Sequence, residues 1–238
     1  MNILITGGAS GLGKSITETL AKAFPEAKVF FTYNSSVELA NAIEKRLKNT
    51  AALKLNFKEK QSVDEFAEKL LSLDIDILIH NAITGLIRNH FHKVETEIFT
   101  EGFQENVYPV LKLSRAFIKS ARIKKSGKLI TILSSAIIGM PPTGMAGYIA
   151  EKNYLLSMSK SWASENAQFN IQSNCISPDF MDTPLNRGTD TRVKEEIVKS
   201  QPLKKLLTVE EVADTVKFLV TAPTHLTGQN IFLNNGKN

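Results

Sequence analysis

Hydrophobic positions along this chain follow two alternating periods. Seven short runs rich in β-forming residues, at 2–6, 28–33, 51–56, 75–80, 128–134, 171–177 and 230–233, are separated by longer segments whose apolar residues recur at helical spacing. Three helix starts carry a Ser/Thr with a Glu three residues on: Ser35 with Glu38, Ser62 with Glu65 and Thr208 with Glu211. Strand and helix alternate throughout, which predicts βαβ units with right-handed crossovers. The expected fold is α/β, a doubly wound parallel seven-stranded sheet with roughly six helices on its two faces. Ligands of such sheets bind in the crevice beyond the carboxyl ends of the strands. No repeat, low-complexity tract or Pro/Gly-rich linker divides the chain, so residues 1–238 are expected to form one domain. One segment differs in kind: 183–201 is polar, with Pro184, Gly188 and Pro202 around a short helix at 191–199, and is expected to be a mobile lid over the crevice.

Composition narrows the class. With 42% hydrophobic and 22% charged residues in 238, disordered, collagen-like and coiled-coil chains are excluded. Cys175 is the single cysteine, so no internal disulfide forms, and the lack of CxxC or Cys/His clusters argues against a structural or catalytic metal. A reducing compartment fits this usage. Met1 to Thr6 runs directly into a strand with no secretion-signal pattern, and no apolar run reaches the ~20 residues that span a bilayer, so a cytoplasmic, membrane-free protein is expected. The net charge is +5, from 29 basic and 24 acidic residues. Its basic residues are scattered, and the densest cluster, Arg122, Lys124 and Lys125, lacks interleaved aromatics, which reads as a solvated surface and not a nucleic-acid site.

Thr6-Gly7-Gly8-Ala9-Ser10-Gly11-Leu12-Gly13 directly follows the first strand and opens the first helix. Gly7 permits a tight turn, Gly11 lets the backbone approach a pyrophosphate, and Gly13 allows close helix–sheet contact while the helix N-terminus offers N–H groups. In this context the element reads as the dinucleotide cradle of a Rossmann fold. An acidic residue ending the second strand would bind the adenosine ribose and repel a 2′-phosphate. Here the strand ends Thr32-Tyr33-Asn34-Ser35-Ser36, and the first carboxylate is Glu38. Neutral donors at Asn34 and Ser35, with Lys14 adding charge, favour NADP(H) over NAD(H).

Tyr148 and Lys152 are four residues apart in a long helical segment and so project from one face. A phenol titrates near 10 in water, and an adjacent ammonium favours its phenolate. Lowering that pKa by ~3 units corresponds to about 4 kcal/mol. Ser135 ends the fifth strand thirteen residues before Tyr148, where a hydroxyl can hydrogen-bond a substrate oxygen.

These elements, in this order, resemble the short-chain dehydrogenase/reductase family over essentially the whole chain. The family's glycine element matches Thr6 to Gly13, and its Asn-Ala after the fourth strand matches Asn81-Ala82. Its catalytic tetrad matches Asn106, Ser135, Tyr148 and Lys152, and the segment after the sixth strand matches Ser177-Pro178-Asp179-Phe180-Met181-Asp182-Thr183. The closing motif matches Thr227-Gly228-Gln229 and Asn234-Asn235-Gly236. The resemblance implies hydride transfer between a nicotinamide and a carbonyl or alcohol carbon. Tyr148 would donate the proton and Lys152 would lower its pKa and hold the nicotinamide ribose. Ser135 would orient the carbonyl, and Asn106 would anchor a water relaying protons to Lys152. Cofactor contacts would fall on Gly7, Ala9, Ser10, Gly11, Leu12, Gly13, Asn34, Ser35, Asn56, Phe57, Asn81, Ala82, Tyr148, Lys152, Pro178, Phe180 and Thr183.

Departures from the pattern are His80 before Asn81, Ile83 after Ala82, Asp179 after Pro178, and Asn56 where an aspartate is common. They point to altered nucleotide contacts with the chemistry kept. His80 is expected to be a packed, hydrogen-bonded histidine; His90 and His92 are expected on the surface or in a substrate loop. Size and closing motif are most similar to the 3-oxoacyl-(acyl-carrier-protein) reductases. An acidic carrier protein would need basic residues such as Lys124 and Lys125, although the neutral 166–170 stretch stands where those reductases often carry arginine. Small ketones, sugars and steroid-like alcohols stay open as substrates. Enoyl reductases of this fold place Tyr and Lys further apart. A catalytically idle dinucleotide sensor is the alternative class, which the intact tetrad opposes. The resemblance also implies a homodimer or homotetramer, although the stripe Val107, Leu111, Ser114 and Ile118 is as expected of core as of an interface.

Overall fold

A computed structural model describes residues 1–236 of the chain. Seven strands, β1 (Asn2–Ile5), β2 (Lys28–Tyr33), β3 (Thr50–Lys54), β4 (Ile77–His80), β5 (Gly127–Ile132), β6 (Ile171–Pro178) and β7 (Asn230–Leu233), form one sheet in the order β3-β2-β1-β4-β5-β6-β7. Every pairing is parallel. Order reverses between β1 and β4, so the loops leaving these two strands diverge and open a crevice at the carboxyl edge.

Side-chain alternation along the strands divides the core. Ile3, Ile5, Ile77, Ile79, Ile130 and Ile132 face α1 (Gly11–Ala23), α2 (Val37–Arg46) and α8 (Val209–Thr221). Leu4, Leu78 and Leu129 face α3 (Lys60–Ser72) and α5 (Tyr108–Lys124) on the other side. A third cluster, with Val110, Leu133, Leu155, Trp162 and Cys175, seats α6 (Ala146–Asn166) on the sheet. Leu133 and Leu155 are almost fully buried, and each such side chain stabilises the fold by roughly 1.5–3 kcal/mol. No helix of the described residues is long and apolar enough to cross a membrane.

Helix starts depart from expectation in two of three places. Thr208 and Glu211 form the predicted reciprocal cap on α8. By contrast α2 starts after Ser36, with no side-chain cap, so Ser35 lies outside it. Helix α3 starts after Glu59, and the Ser62 hydroxyl instead accepts the Asn56 N–H at 3.0 Å. The helix expected between β4 and β5 is also broken: α4 (Thr96–Gly102) runs through a π-helical turn, Phe103–Val107, into α5. Along the stripe Val107 and Ser114 are fully buried, while Leu111 and Ile118 are partly buried and pack against the core.

Candidate active site

The glycine loop is held from both sides. Thr32 at the end of β2 accepts the Gly7 N–H with its hydroxyl (2.9 Å) and the Gly8 N–H with its carbonyl (2.9 Å). From β4, the Asn81 amide donates to the carbonyls of Thr6 (3.0 Å) and Gly7 (3.2 Å), while Asn81 and Ala82 each donate their N–H to the Thr6 hydroxyl at 3.0 Å. Gly7 takes φ +66, a left-handed conformation that other residues adopt at a cost. A Cβ on Gly13 would stand 2.0 Å from the Gly7 carbonyl and 2.5 Å from the Asn81 amide. Hence this loop lies flat over the switch point with the N-terminus of α1 open to a cleft of about 1010 Å³. Gly7, Ala9, Ser10, Gly11, Leu12 and Gly13 line it, as do Asn34, Ser35, Asn56, Phe57, Asn81, Ala82, Pro178, Phe180 and Thr183. A cradle that a single methyl would fill, in a cleft long enough to run from β2 to β6, fits a dinucleotide.

Charge at the β2 end differs from expectation. Lys14 is turned to Glu18 at 3.8 Å, a carboxylate that Arg46 also engages, and is not among the cleft residues. Lys58 lines the cleft instead, paired with Glu105 at 3.1 Å. Asn34 donates to Asn56 at 3.2 Å, which joins β2 and β3 across this end.

Tyr148 and Lys152 share the first turns of α6 and both face the cleft. The Lys152 ammonium donates to the Ile132 carbonyl at 2.9 Å and stands 5.6 Å from the centre of the Tyr148 ring. Burial pushes the lysine's pKa down to about 8, against the pull of Glu151 and Cys175. Burial likewise pushes the Tyr148 phenol above its ordinary value; a hydrogen bond with Ser134 and the charge of Arg88 pull it back, while Glu151 pushes it up. Thus the expected lowering of the phenol by Lys152 is not what the protein alone produces, because the ammonium points past the ring to a main-chain carbonyl.

The serine beside the phenol is also different. Ser134, not Ser135, hydrogen-bonds Tyr148, and its oxygen accepts the Ala136 N–H at 3.2 Å. Ser135 opens the following 3-10 turn and lines the cleft next to it. Both serines thus line the cleft, and Ser134 is the one that pulls on the phenol.

Asn106 lies in the π turn, where its side-chain carbonyl accepts the Thr84 N–H and the Thr84 hydroxyl, each at 2.9 Å. Its amide meets Glu151, whose carboxyl burial has pushed up. His80 is buried and neutral, its pKa driven down to about 3 by burial; its Nε2 pairs with the Ser114 hydroxyl at 2.8 Å, as a packed histidine would. His90 and His92 are exposed.

The 183–201 segment contains a 3-10 turn, Pro184–Asn186, and α7 (Thr191–Ser200), with Val193 and Ile197 lining the cleft. Its far end is tied down: Gln201, 1% exposed, donates to Asp179 at 2.8 Å and accepts from Asn235 at 3.1 Å. Residues that the periodicity did not single out, Thr84, Lys58, Arg88 and Glu151, complete the site. Thr84, Lys58 and Arg88 are placed by how the loops fold, and Glu151 by its position on α6 next to Lys152. Lys124 is lost as a docking charge: it pairs with Asp74 (2.9 Å) and Asp76 (2.8 Å) ahead of β5, at the sheet edge opposite the cleft.

A glycine cradle at the switch point, with half-buried Tyr148 beside buried Lys152 at its far end, defines a nicotinamide-dependent oxidoreductase. Residues 7–238 match the family described as "Enoyl-(Acyl carrier protein) reductase", and the chain belongs to the short-chain dehydrogenase/reductase family. It is 32% identical over 238 residues to the 3-oxoacyl-[acyl-carrier-protein] reductase FabG of Escherichia coli (strain K12), covering 98% of this chain and 95% of that one. It is 27% identical over 247 residues to the 2,3-dihydro-2,3-dihydroxybenzoate dehydrogenase of Bacillus subtilis (strain 168), covering 98% and 94%. Among solved structures, the fold is shared with a gluconate 5-dehydrogenase from Burkholderia cenocepacia J2315 in complex with NADP and tartrate, at TM-score 0.88, 22% identity and coverage of 99% and 94%.

Proposed function

We propose that this protein reduces a ketone with NADPH as its preferred nicotinamide, and that 3-oxoacyl thioesters are the first substrates to test. The observation that carries this reading is the Tyr148/Lys152 pair, one helical turn apart and facing the cleft beyond the glycine cradle. The nicotinamide, when bound, supplies the hydride. Tyr148 holds the proton that the carbonyl oxygen receives. Its pKa, pushed up by burial, keeps the phenol protonated at neutral pH. Ser134 directs that phenol and hydrogen-bonds the same oxygen, with Ser135 beside it. Lys152 brings a charge to the ribose hydroxyls, and because burial has loosened its proton it exchanges readily near pH 8. Asn106, clamped by Thr84, fixes the π turn behind Lys152 as the anchor for proton resupply. Asn34 and Ser35 at the β2 end, with no carboxylate between Thr32 and Val37, leave room for a 2′-phosphate.

The four-residue Tyr–Lys spacing supports carbonyl over enoyl reduction despite the family's description. The relative in Escherichia coli acts on a carrier-bound substrate, but the basic pair expected to meet a carrier here faces away from the cleft, so free thioesters come first. We place the protein in the cytoplasm as a homodimer or homotetramer, with 183–201 as the lid over the substrate; light scattering after size exclusion tests the assembly. The deciding experiment for the function is Tyr148→Phe assayed with acetoacetyl thioester and NADPH. Turnover should fall at least about 100-fold while NADPH affinity holds within a few-fold. A near wild-type rate would remove Tyr148 as the proton donor.

A further inference from the structure

This inference rests on the reductase reading and narrows its substrate. We propose that Arg88 is an anion anchor at the substrate end of the cleft, so that the ketone carries a carboxylate or phosphate as well as its carbonyl.

Arg88 sits in the irregular stretch between β4 and α4 and lines the cleft. Its guanidinium reaches the 183–201 segment, donating from Nη1 to the Thr189 hydroxyl at 2.7 Å and from Nη2 to the Asn186 side-chain carbonyl at 2.6 Å. Both acceptors are neutral, and Arg88 pairs with no carboxylate among the described residues.

The other cations lining the cleft are accounted for. Lys58 faces Glu105, and Lys152 is fixed on the Ile132 carbonyl beside Tyr148. Arg88 is therefore the guanidinium left with its charge unmatched, and a planar fork of this kind binds carboxylate or phosphate with two parallel hydrogen bonds. It stands on the reacting side: its charge reaches the Tyr148 phenol, which it pulls downward. The adenosine end, at Asn34 and Asn56, lies across the switch point on β2 and β3, and the pyrophosphate cradle offers main-chain N–H groups. Neither needs Arg88. An incoming anion would replace two neutral acceptors with a charged one, and in doing so would draw on the same segment that covers the substrate.

A keto acid and a phosphopantetheine thioester present the same anion chemistry, and two matched pairs separate them. With saturating NADPH, wild type and Arg88→Gln are compared on acetoacetate against methyl acetoacetate, and on acetoacetyl-phosphopantetheine against the neutral acetoacetyl-N-acetylcysteamine thioester. For one pair, Arg88→Gln should lower the charged-to-neutral ratio of kcat/KM at least about tenfold, the scale of a charge-assisted hydrogen bond, with Arg88→Lys recovering part of it. That pair identifies the source of the anion. An unchanged ratio in both pairs overturns the proposal, because an arginine that only holds the covering segment slows charged and neutral members alike. Weakened NADPH binding in its place overturns it too. If wild type reduces none of the four, the reductase reading fails, and calorimetric titration of the NADPH-bound protein with acetoacetate and phosphopantetheine decides the anchor alone: binding lost in Arg88→Gln upholds it, and no binding to wild type ends it.

Discussion

Lys152 is costly to the fold, and that cost can be measured without any substrate. The side chain is 8% exposed and its pKa falls from 10.5 to about 8 through burial. At roughly 1.4 kcal/mol per tenfold, this corresponds to about 3 kcal/mol of lost stability wherever the group is charged in both states. The sign follows from proton counting. Below pH 8 folded and unfolded chains both carry the proton and the full penalty applies; between 8 and 10.5 the unfolded chain binds more protons, so stability rises with pH. Replacing the lysine with methionine removes the penalty but orphans the Ile132 carbonyl that it caps, which costs about 1–3 kcal/mol. Lys152→Met should thus be more stable than wild type by about 1 kcal/mol at pH 7, while losing activity. By pH 9.5 wild type should regain about 2 kcal/mol relative to the variant, so that the order reverses. Urea unfolding of both proteins at the two pH values reads this directly, since other titrating groups cancel in the difference. A stability difference that stays constant between pH 7 and 9.5 would refute the claim that Lys152 is held as a buried cation.

Three further outcomes follow from the site. Ser134→Ala should lower kcat/KM at least about tenfold through loss of a hydrogen bond to the reacting groups, and more than Ser135→Ala does; steady-state kinetics on one ketone with NADPH ranks the two, and the reverse order would restore Ser135. Gly13→Ala should abolish measurable NADPH binding, since the new methyl meets the Gly7 carbonyl at 2.0 Å; fluorescence titration checks it, and near-normal affinity would mean the loop yields more freely than its hydrogen bonds suggest. Titrating NADPH against NADH should show tighter NADPH binding, and equal affinities would remove the argument from Asn34 and Ser35.

Fold class, strand positions and the Tyr148/Lys152 pair were all legible in the sequence, because each depends on a local period: two for strands, 3.6 for the helix that puts positions 148 and 152 on one face. Even β2 and β7 fall at the expected residues. The glycine loop is legible for the same reason, its backbone demands being set within eight residues. What only the tertiary structure decided is everything carried by direction across a gap in the chain. Which serine acts on the phenol depends on how a 3-10 turn leaves β5; the loss of Lys124 to Asp74 and Asp76 depends on which carboxylates lie nearest. The starts of α2 and α3, after Ser36 and Glu59, also differ from the Ser/Glu pattern, because Ser62 is taken up by the Asn56 N–H and no side chain caps α2. Arg88 shows the limit of local pattern most clearly, since its significance comes from Asn186 and Thr189, about a hundred residues further on. Periodicity encodes which face of an element is buried; it is blind to which charge, on which loop, finds a partner, because that is settled by packing among segments distant in sequence.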